Sequence, residues 1–337
     1  MKNVRIAAIG GVFACLLVSA SALTITENFS HDPSLDGWQV FGNTNLFQWD
    51  STNDVLDVIW DSTQPNSYFY MPLGTMVTKN DDFSFSFDLT LSQASTNDAT
   101  GPMQVALGFL NETDAMNPDF ERAAGYSPNV AEFDYYPDGF YLPDYPSPAS
   151  ATPGFVDDSS SIFAPNYVAP YEVELPTNVL MNISLAYTAS NQTAVLCIVT
   201  NGTPLMAFPP LLINTNGNGQ FADDNNFCVN MFSITSYSEA GQDPEYAASI
   251  YAVGTVANVV VNVPPPAQGL SLALSNNVCN VQFQNNLGWW YTLQRSPDLL
   301  SWTDASDAVW GNGTNLVISD TAAPLAGAFY RISAARP

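Results

Sequence analysis

Basic residues are almost missing from this chain. Its 337 residues hold seven Lys plus Arg and one His against 32 Asp plus Glu, a formal net charge of −25. A protein that grips a polyanion does so with basic side chains that displace counterions, so nucleic acids and acidic polysaccharides are excluded as partners. Divalent cations and neutral glycans suit such a field; a solubility adaptation to salty surroundings is the other reading of the same charge. Cysteine is scarce too. Cys15, Cys197, Cys228 and Cys279 show no zinc-ligand spacing, and His31 does not complete one. With one histidine, Ser-His-Asp catalysis would have to run through SHDPSLDGW, and neither a nucleophile elbow nor a glycine-rich phosphate loop occurs. Beyond the first 22 residues no run approaches the roughly 18 apolar residues of a membrane span. Helical periodicity is absent throughout.

What is present begins with an export signal: Lys2 and Arg5, then the apolar run Ile6 to Val18, then the small residues Ala20-Ser21-Ala22. Residues 1–22 are therefore expected to be removed. The rest would carry five basic residues against 32 acids, a net of −27. Nearly all of that charge lies in residues 23–263, where Lys79 and Arg122 are the only basic side chains. Val263-Pro264-Pro265-Pro266 reads as a stiff linker over 264–269, separating a first domain (23–263) from a small second one (270–337).

Strand signals fill both domains. Phe83, Phe85, Phe87, Leu89 and Leu91 alternate with Ser84, Ser86, Asp88, Thr90 and Ser92, the period of a strand with one buried face. Met103 to Leu110 is continuously apolar and suits a strand covered on both sides. NVLMNISLAYTAS and TAVLCIVTNG flank Asn191-Gln192, a hairpin signature. Cys197 and Cys228 lie in neighbouring apolar segments and can bridge if those segments pair. Many short strands with Gly, Pro and Asn turns give an all-β chain: an antiparallel sandwich, then a small β-sandwich from LSLALS, VCNVQFQ, WWYTLQRS, LVISD and AFYRISA.

One stretch carries chemistry. In VAEFDYYPDGFYLPD, Val130 to Asp144, two carboxylates sit two residues apart in an apolar strand. Ala131, Phe133 and Tyr135 share one side while Glu132, Asp134 and Tyr136 share the other. Their Cα atoms are then about 6.5–7 Å apart, within joint reach of one cation or one sugar ring. The plainer expectation is a pair of hydrogen-bonded acids on an open concave face. A long loop with seven prolines between Pro137 and Pro170 follows, carrying Tyr141 and Tyr145. Flat aromatic faces stack on pyranose rings; Trp38, Trp49, Trp60, Tyr68, Tyr70 and Tyr135 are further candidates, although most tryptophans are expected in the core.

The order of segments, MQVALGFL, VAEFDYYPDG, NISLAYTASNQTAVLCIV and VNMFSITSYSEAG, resembles the jelly roll of the concanavalin A-like lectins and glucanases, the L-type lectins above all, over about residues 28–262. The resemblance implies calcium held by Asp134, the backbone carbonyl of Tyr136, Asp138 and Asp144, with Glu132 facing a second, transition-metal position. It also implies a sugar-contacting Asp on an earlier loop, for which Asp98 in STNDATGP is the match. The histidine that such lectins place after the loop is missing here. In the glucanase branch the motif is Glu-x-Asp-x-x-Glu or Glu-x-Asp-x-Glu; Glu132 and Asp134 match its first two acids, but Pro137 or Tyr136 stands where the last belongs. Retaining hydrolysis needs a second carboxyl group about 5–5.5 Å from the nucleophile, and Glu172 or Glu174 of YEVELP would have to supply it. WYTLQRSPDLLSWTDA and GAFYRISA resemble a short C-terminal β-sandwich module of large secreted bacterial proteins, which implies an accessory, surface-associated role with Trp302 and Tyr330 as packing residues.

The sequence therefore leads to a secreted or cell-surface bacterial protein, a jelly-roll β-sandwich followed by a small fibronectin-like β-sandwich, binding a neutral polysaccharide or glycan, with Ca2+ as the sole candidate cofactor. Tyr141, Tyr145 and Asp98 are its expected sugar contacts. A glycoside hydrolase with a degenerate site and an adhesive protein that binds no sugar are the alternatives.

Overall fold

The computed structural model describes residues 4–6, 23–96, 104–117, 120, 129–137, 149–156, 171–213, 227–238, 250–264, 267–275, 277–286, 289–324 and 328–335. The chain divides into two compact units, one of residues 24–73 and 77–263, the other of 1–23, 74–76 and 264–337. Both are antiparallel β-structures. The described helices are a four-residue α-helix, Glu112–Ala115, and two 3-10 turns, Pro33–Asp36 and Thr44–Leu46.

The larger unit is a jelly-roll sandwich of two sheets. The first has the order Tyr171–Glu172, Ser150–Val156, Val130–Tyr136, Val105–Leu110, Cys228–Ser236, Ser67–Thr78, Gln39–Phe41. The second runs Thr203–Pro204, Thr193–Thr200, Met181–Thr188, Phe83–Thr96, Ile250–Val263, Val55–Asp61, Phe47–Asp50, with Leu211–Leu212 beside Thr193–Thr200 and Leu23–Glu27 beside Ile250–Val263. The chain crosses between the sheets several times, as from Phe83–Thr96 to Val105–Leu110 and from Cys228–Ser236 to Ile250–Val263, so contacts distant in sequence build the core.

That core is aromatic. The alternation at Phe83 to Leu91 puts all five apolar residues of the second sheet inward, each at most 4% exposed. They meet the inward row of the first sheet: Phe85 packs edge-on against Phe109 (centroids 5.3 Å) and Phe232 (5.4 Å), and Phe87 against Phe133 (5.9 Å). Edge-to-face pairs of this kind contribute about 0.5–1.5 kcal/mol beyond their burial. The Asn191-Gln192 hairpin forms as its sequence suggests, with Thr188 opposite Thr193 and Gln192 in the left-handed region at φ 51°. Cys197 and Cys228 do not pair: they lie in opposite sheets, and both are free thiols.

The smaller unit also packs two sheets. Ala267–Ser275, Val278–Asn285 and Asn315–Asp320 form one. The other runs Val4–Ile6, Phe329–Ala335, Trp290–Ser296, Thr303–Asp304, with Val309–Trp310 also on Trp290–Ser296. Val4–Ile6 thus comes from the stretch that reads as an export signal. Between the sheets lie Val281, Phe283, Tyr291, Leu293, Ile318, Tyr330 and Ile332. Asp320 anchors this core, accepting from Arg295 Nη1 and from the Tyr330 hydroxyl, each at 2.9 Å.

Candidate functional site

Val130–Tyr136 is the third strand of the seven-stranded sheet, hydrogen-bonded on both sides. Its register fixes what surrounds the two acids. Glu132 stands opposite Gly108 on one neighbour and Gly154 on the other; Asp134 stands opposite Ala106 and Thr152. The next strands place Ser233 and Tyr70 in line with Glu132, and Thr235 and Tyr68 in line with Asp134. Paired residues share a face, so the side turned away from the aromatic core is a band of small residues with acids at one side and tyrosines at the other. Asp134 and Tyr68 are three strand spacings apart, about 14 Å between Cα atoms.

The close approach of strands under Glu132 depends on one glycine. A Cβ at Gly108 would lie 2.3 Å from Glu132 Cα and 2.5 Å from its Cβ, so no other residue fits without moving the backbone. Gly108 is thereby a positioning residue for the carboxylate.

An open face is the expectation this geometry overturns. Glu132 and Asp134 are both fully buried, and every residue from Val130 to Tyr136 is enclosed. Part of the cover is Tyr237, just beyond the Cys228–Ser236 strand. Its hydroxyl donates to Glu132 Oε2 at 2.9 Å, and its ring packs edge-on against Tyr68 at 6.5 Å. Phe120 stacks on Tyr237 (6.1 Å, 6° between planes) and packs edge-on against Tyr68. Asn66 fixes this corner: its Nδ2 donates to the Phe120 carbonyl at 3.3 Å while its Oδ1 accepts from Ser238 N at 2.7 Å. Burial, reinforced by the charge of Glu132, holds the Tyr68 hydroxyl well above the ordinary tyrosine range, so it stays a donor. Two buried hydroxyls of this face, Tyr68 OH and Ser150 Oγ, have no hydrogen-bond partner among the described residues.

The exposed-aromatic expectation is corrected as well. Trp38 and Trp60 are buried, as expected of most of the tryptophans, and Tyr68, Tyr70 and Tyr135 are buried too, Tyr68 against Phe120 and Tyr237; Trp49 alone of the described candidates reaches solvent, at 37% exposure, with its indole N–H on the Phe29 carbonyl. Asp98, Asp138, Tyr141, Asp144 and Tyr145 lie outside the described residues. Glu172, on the edge strand, shares the face of Glu132 and Asp134, since it stands opposite Ser150, itself opposite Tyr136; its side chain is exposed, as is that of Glu174. His31 sits on an exposed turn with Nε2 2.6 Å from Asp36 Oδ2.

Tyr237, Phe120 and Asn66 carry no signal in the sequence. Glu132 and Tyr237 are 105 residues apart, and only the sheet register brings them together.

For a metal, the donor chemistry can be tested on the described residues. They contain no group of three or more His, Cys, Asp or Glu side chains able to hold an ion. Asp134 and the Tyr136 carbonyl are hard oxygen donors of the kind calcium takes, but calcium needs six to eight. Glu132 gives an oxygen to Tyr237 and has no imidazole beside it, which does not fit a transition metal.

No family model matches the chain, and no curated protein matches it. Among solved structures it is similar to peanut lectin, solved with a nine-residue peptide (11% identity, 73% of this chain and 100% of that one, TM-score 0.41). It is also similar to the lectin UEA-II in complex with galactose (12%, 73% and 100%, 0.41) and to lectin I from Ulex europaeus in complex with the methyl glycoside of α-L-fucose (14%, 72% and 98%, 0.40). Likenesses at these scores carry no argument about ligands; that rests on the residues.

Proposed function

We propose that this protein is exported and binds a neutral glycan at the acid- and tyrosine-bearing face of the seven-stranded sheet. One observation carries this reading: Glu132, Asp134, Tyr68 and Ser150 share a single face, and the buried hydroxyls of Tyr68 and Ser150 have no hydrogen-bond partner among the described residues. A buried hydroxyl left without a partner costs about 1–3 kcal/mol. A ring of sugar hydroxyls offers the matching donors and acceptors, and the net charge of −25 favours a neutral sugar over an acidic one. Gly108, Ala106, Ser233 and Thr235 keep the floor between the acids and the tyrosines low. Tyr237 and Phe120 then act as the part of the cover that a ligand displaces or lies against.

Calcium belongs to the proposal as a support. Asp134 and the Tyr136 carbonyl would hold it together with Asp138 and Asp144, and the ion would neutralise a carboxylate in the glycan site. A glycan array with and without a chelator tests the whole. Binding of neutral glycans that weakens in chelator supports both parts; binding indifferent to chelator keeps the glycan and removes calcium. Turnover of a β-glucan that vanishes in Glu132→Gln would replace binding with hydrolysis, and an array without signal would leave the adhesive alternative standing.

A further inference from the structure

The outward face of the five-stranded sheet in the smaller unit carries an aromatic surface that its fold does not use. Trp290 and Trp310 stand directly opposite each other on paired strands, and their rings meet at 4.9 Å with 69° between planes. Both remain exposed, at 40% and 43%. Their neighbours Trp289 and Tyr291 point the other way and are buried, so the core is complete without them. The two indoles form an L-shaped notch, one ring face forward and the other at its side.

The same face continues along the strand. Thr292 and Ser333 are paired next to the notch, then Gln294 and Arg331, all half-exposed. The Arg331 guanidinium lies 4.3 Å over the Trp302 ring and donates from Nε to Gln294 Oε1 at 2.7 Å, while Gln294 Nε2 donates to Asp304 Oδ1 at 2.8 Å. Trp302 is itself fixed, its indole N–H on the Leu299 carbonyl within a loop that Asp298 caps through Leu300 N and Ser301 N. From the notch to Gln294 is four residues, about 13 Å of strand. Arg331 and Asp304 flank Gln294 on this face, and Arg5 of the edge strand stands opposite Arg331 in the register.

We infer that this face is a second glycan-binding surface, in which Trp290 and Trp310 take the apolar face of a neutral sugar ring and Gln294 and Arg331 bind hydroxyls of the same chain further along. Exposed indoles beside oriented polar groups match the two sides of a pyranose, carbon–hydrogen faces and a hydroxyl rim. The acidity of the chain as a whole selects a neutral polymer over an anionic one. A cross-strand Trp pair also stabilises a sheet, and the test separates that role from binding.

The full chain is sedimented with microcrystalline cellulose and with chitin, with polygalacturonate as the acidic control. Retention on a neutral polymer that falls about tenfold in Trp290→Ala/Trp310→Ala is the expected result, with Glu132→Gln/Asp134→Asn run beside it to report the share held by the first site. Ser333→Glu, which keeps both rings but sets a charge between the notch and Gln294, is expected to weaken retention while leaving the thermal midpoint within a few degrees. No retention of the native chain on either neutral polymer overturns the inference. So does retention that survives both tryptophan substitutions, and so does loss confined to the Glu132/Asp134 variant, which would leave the first site as the sole binder.

Discussion

Two sides of one strand carry opposite lessons. Ala131, Phe133 and Tyr135 face the aromatic core, Glu132 and Asp134 face away from it, and both sets are buried to the same extent. Burial alone therefore does not separate packing from function. The neighbours do: Phe133 meets Phe87, a contact that dispersion and the hydrophobic effect fully explain, whereas Glu132 meets the Tyr237 hydroxyl above a floor of glycine and alanine. An apolar side that satisfies itself is a scaffold. The polar side leaves the Tyr68 and Ser150 hydroxyls without a partner among the described residues.

The contrast can be broken from either side. Phe133→Ala should give the largest stability effect, about 3–5 kcal/mol, read by denaturant unfolding, with glycan affinity unchanged while the protein stays folded. Gly108→Ala comes next: forcing a Cβ against the Glu132 backbone should cost about 1–3 kcal/mol and, unlike the core substitution, also disturb binding because the carboxylate moves. Tyr237→Phe removes the donor to a buried carboxylate and should cost about 1–2 kcal/mol, read by denaturant unfolding. If Tyr237→Phe cost nothing, the Tyr237–Glu132 contact would be packing and no more.

The smallest effect is at alkaline pH and belongs to the scaffold side. Burial raises Tyr187 to about 12, with the charges of Asp82 and Asp81 adding to it, and burial likewise raises Tyr291 to about 12. Unfolded tyrosines ionise near 10. The folded forms hold their protons longer, so this stability is fully present below pH 10 and is lost as pH rises through 10 to 12. Tyr187→Phe should flatten that decline in a thermal-melt series.

Much of the scaffold was legible in the sequence. The alternation from Phe83 to Leu91, the continuous run ending at Leu110 and the Asn191-Gln192 turn each express a local rule, so the strands appear where the pattern places them. The shared face of Glu132 and Asp134 follows from the two-residue period of a strand. What that face meets does not. Tyr237, Phe120 and Asn66 arrive through the order of strands in the sheet, which local pattern leaves open, and the same is true of Cys197 and Cys228, near in hydropathy and separated by the sandwich. Trp290 and Trp310 form a pair only because strand register sets them opposite each other.

The central claim is that the acid-bearing face, and not the fold in general, holds the glycan. Calorimetric titration of the full chain with a neutral oligosaccharide chosen from the array, beside Glu132→Gln/Asp134→Asn, tests it most directly. At least a tenfold loss of affinity in a variant whose thermal midpoint is preserved is the predicted result. Equal affinity in the two folded proteins would contradict it.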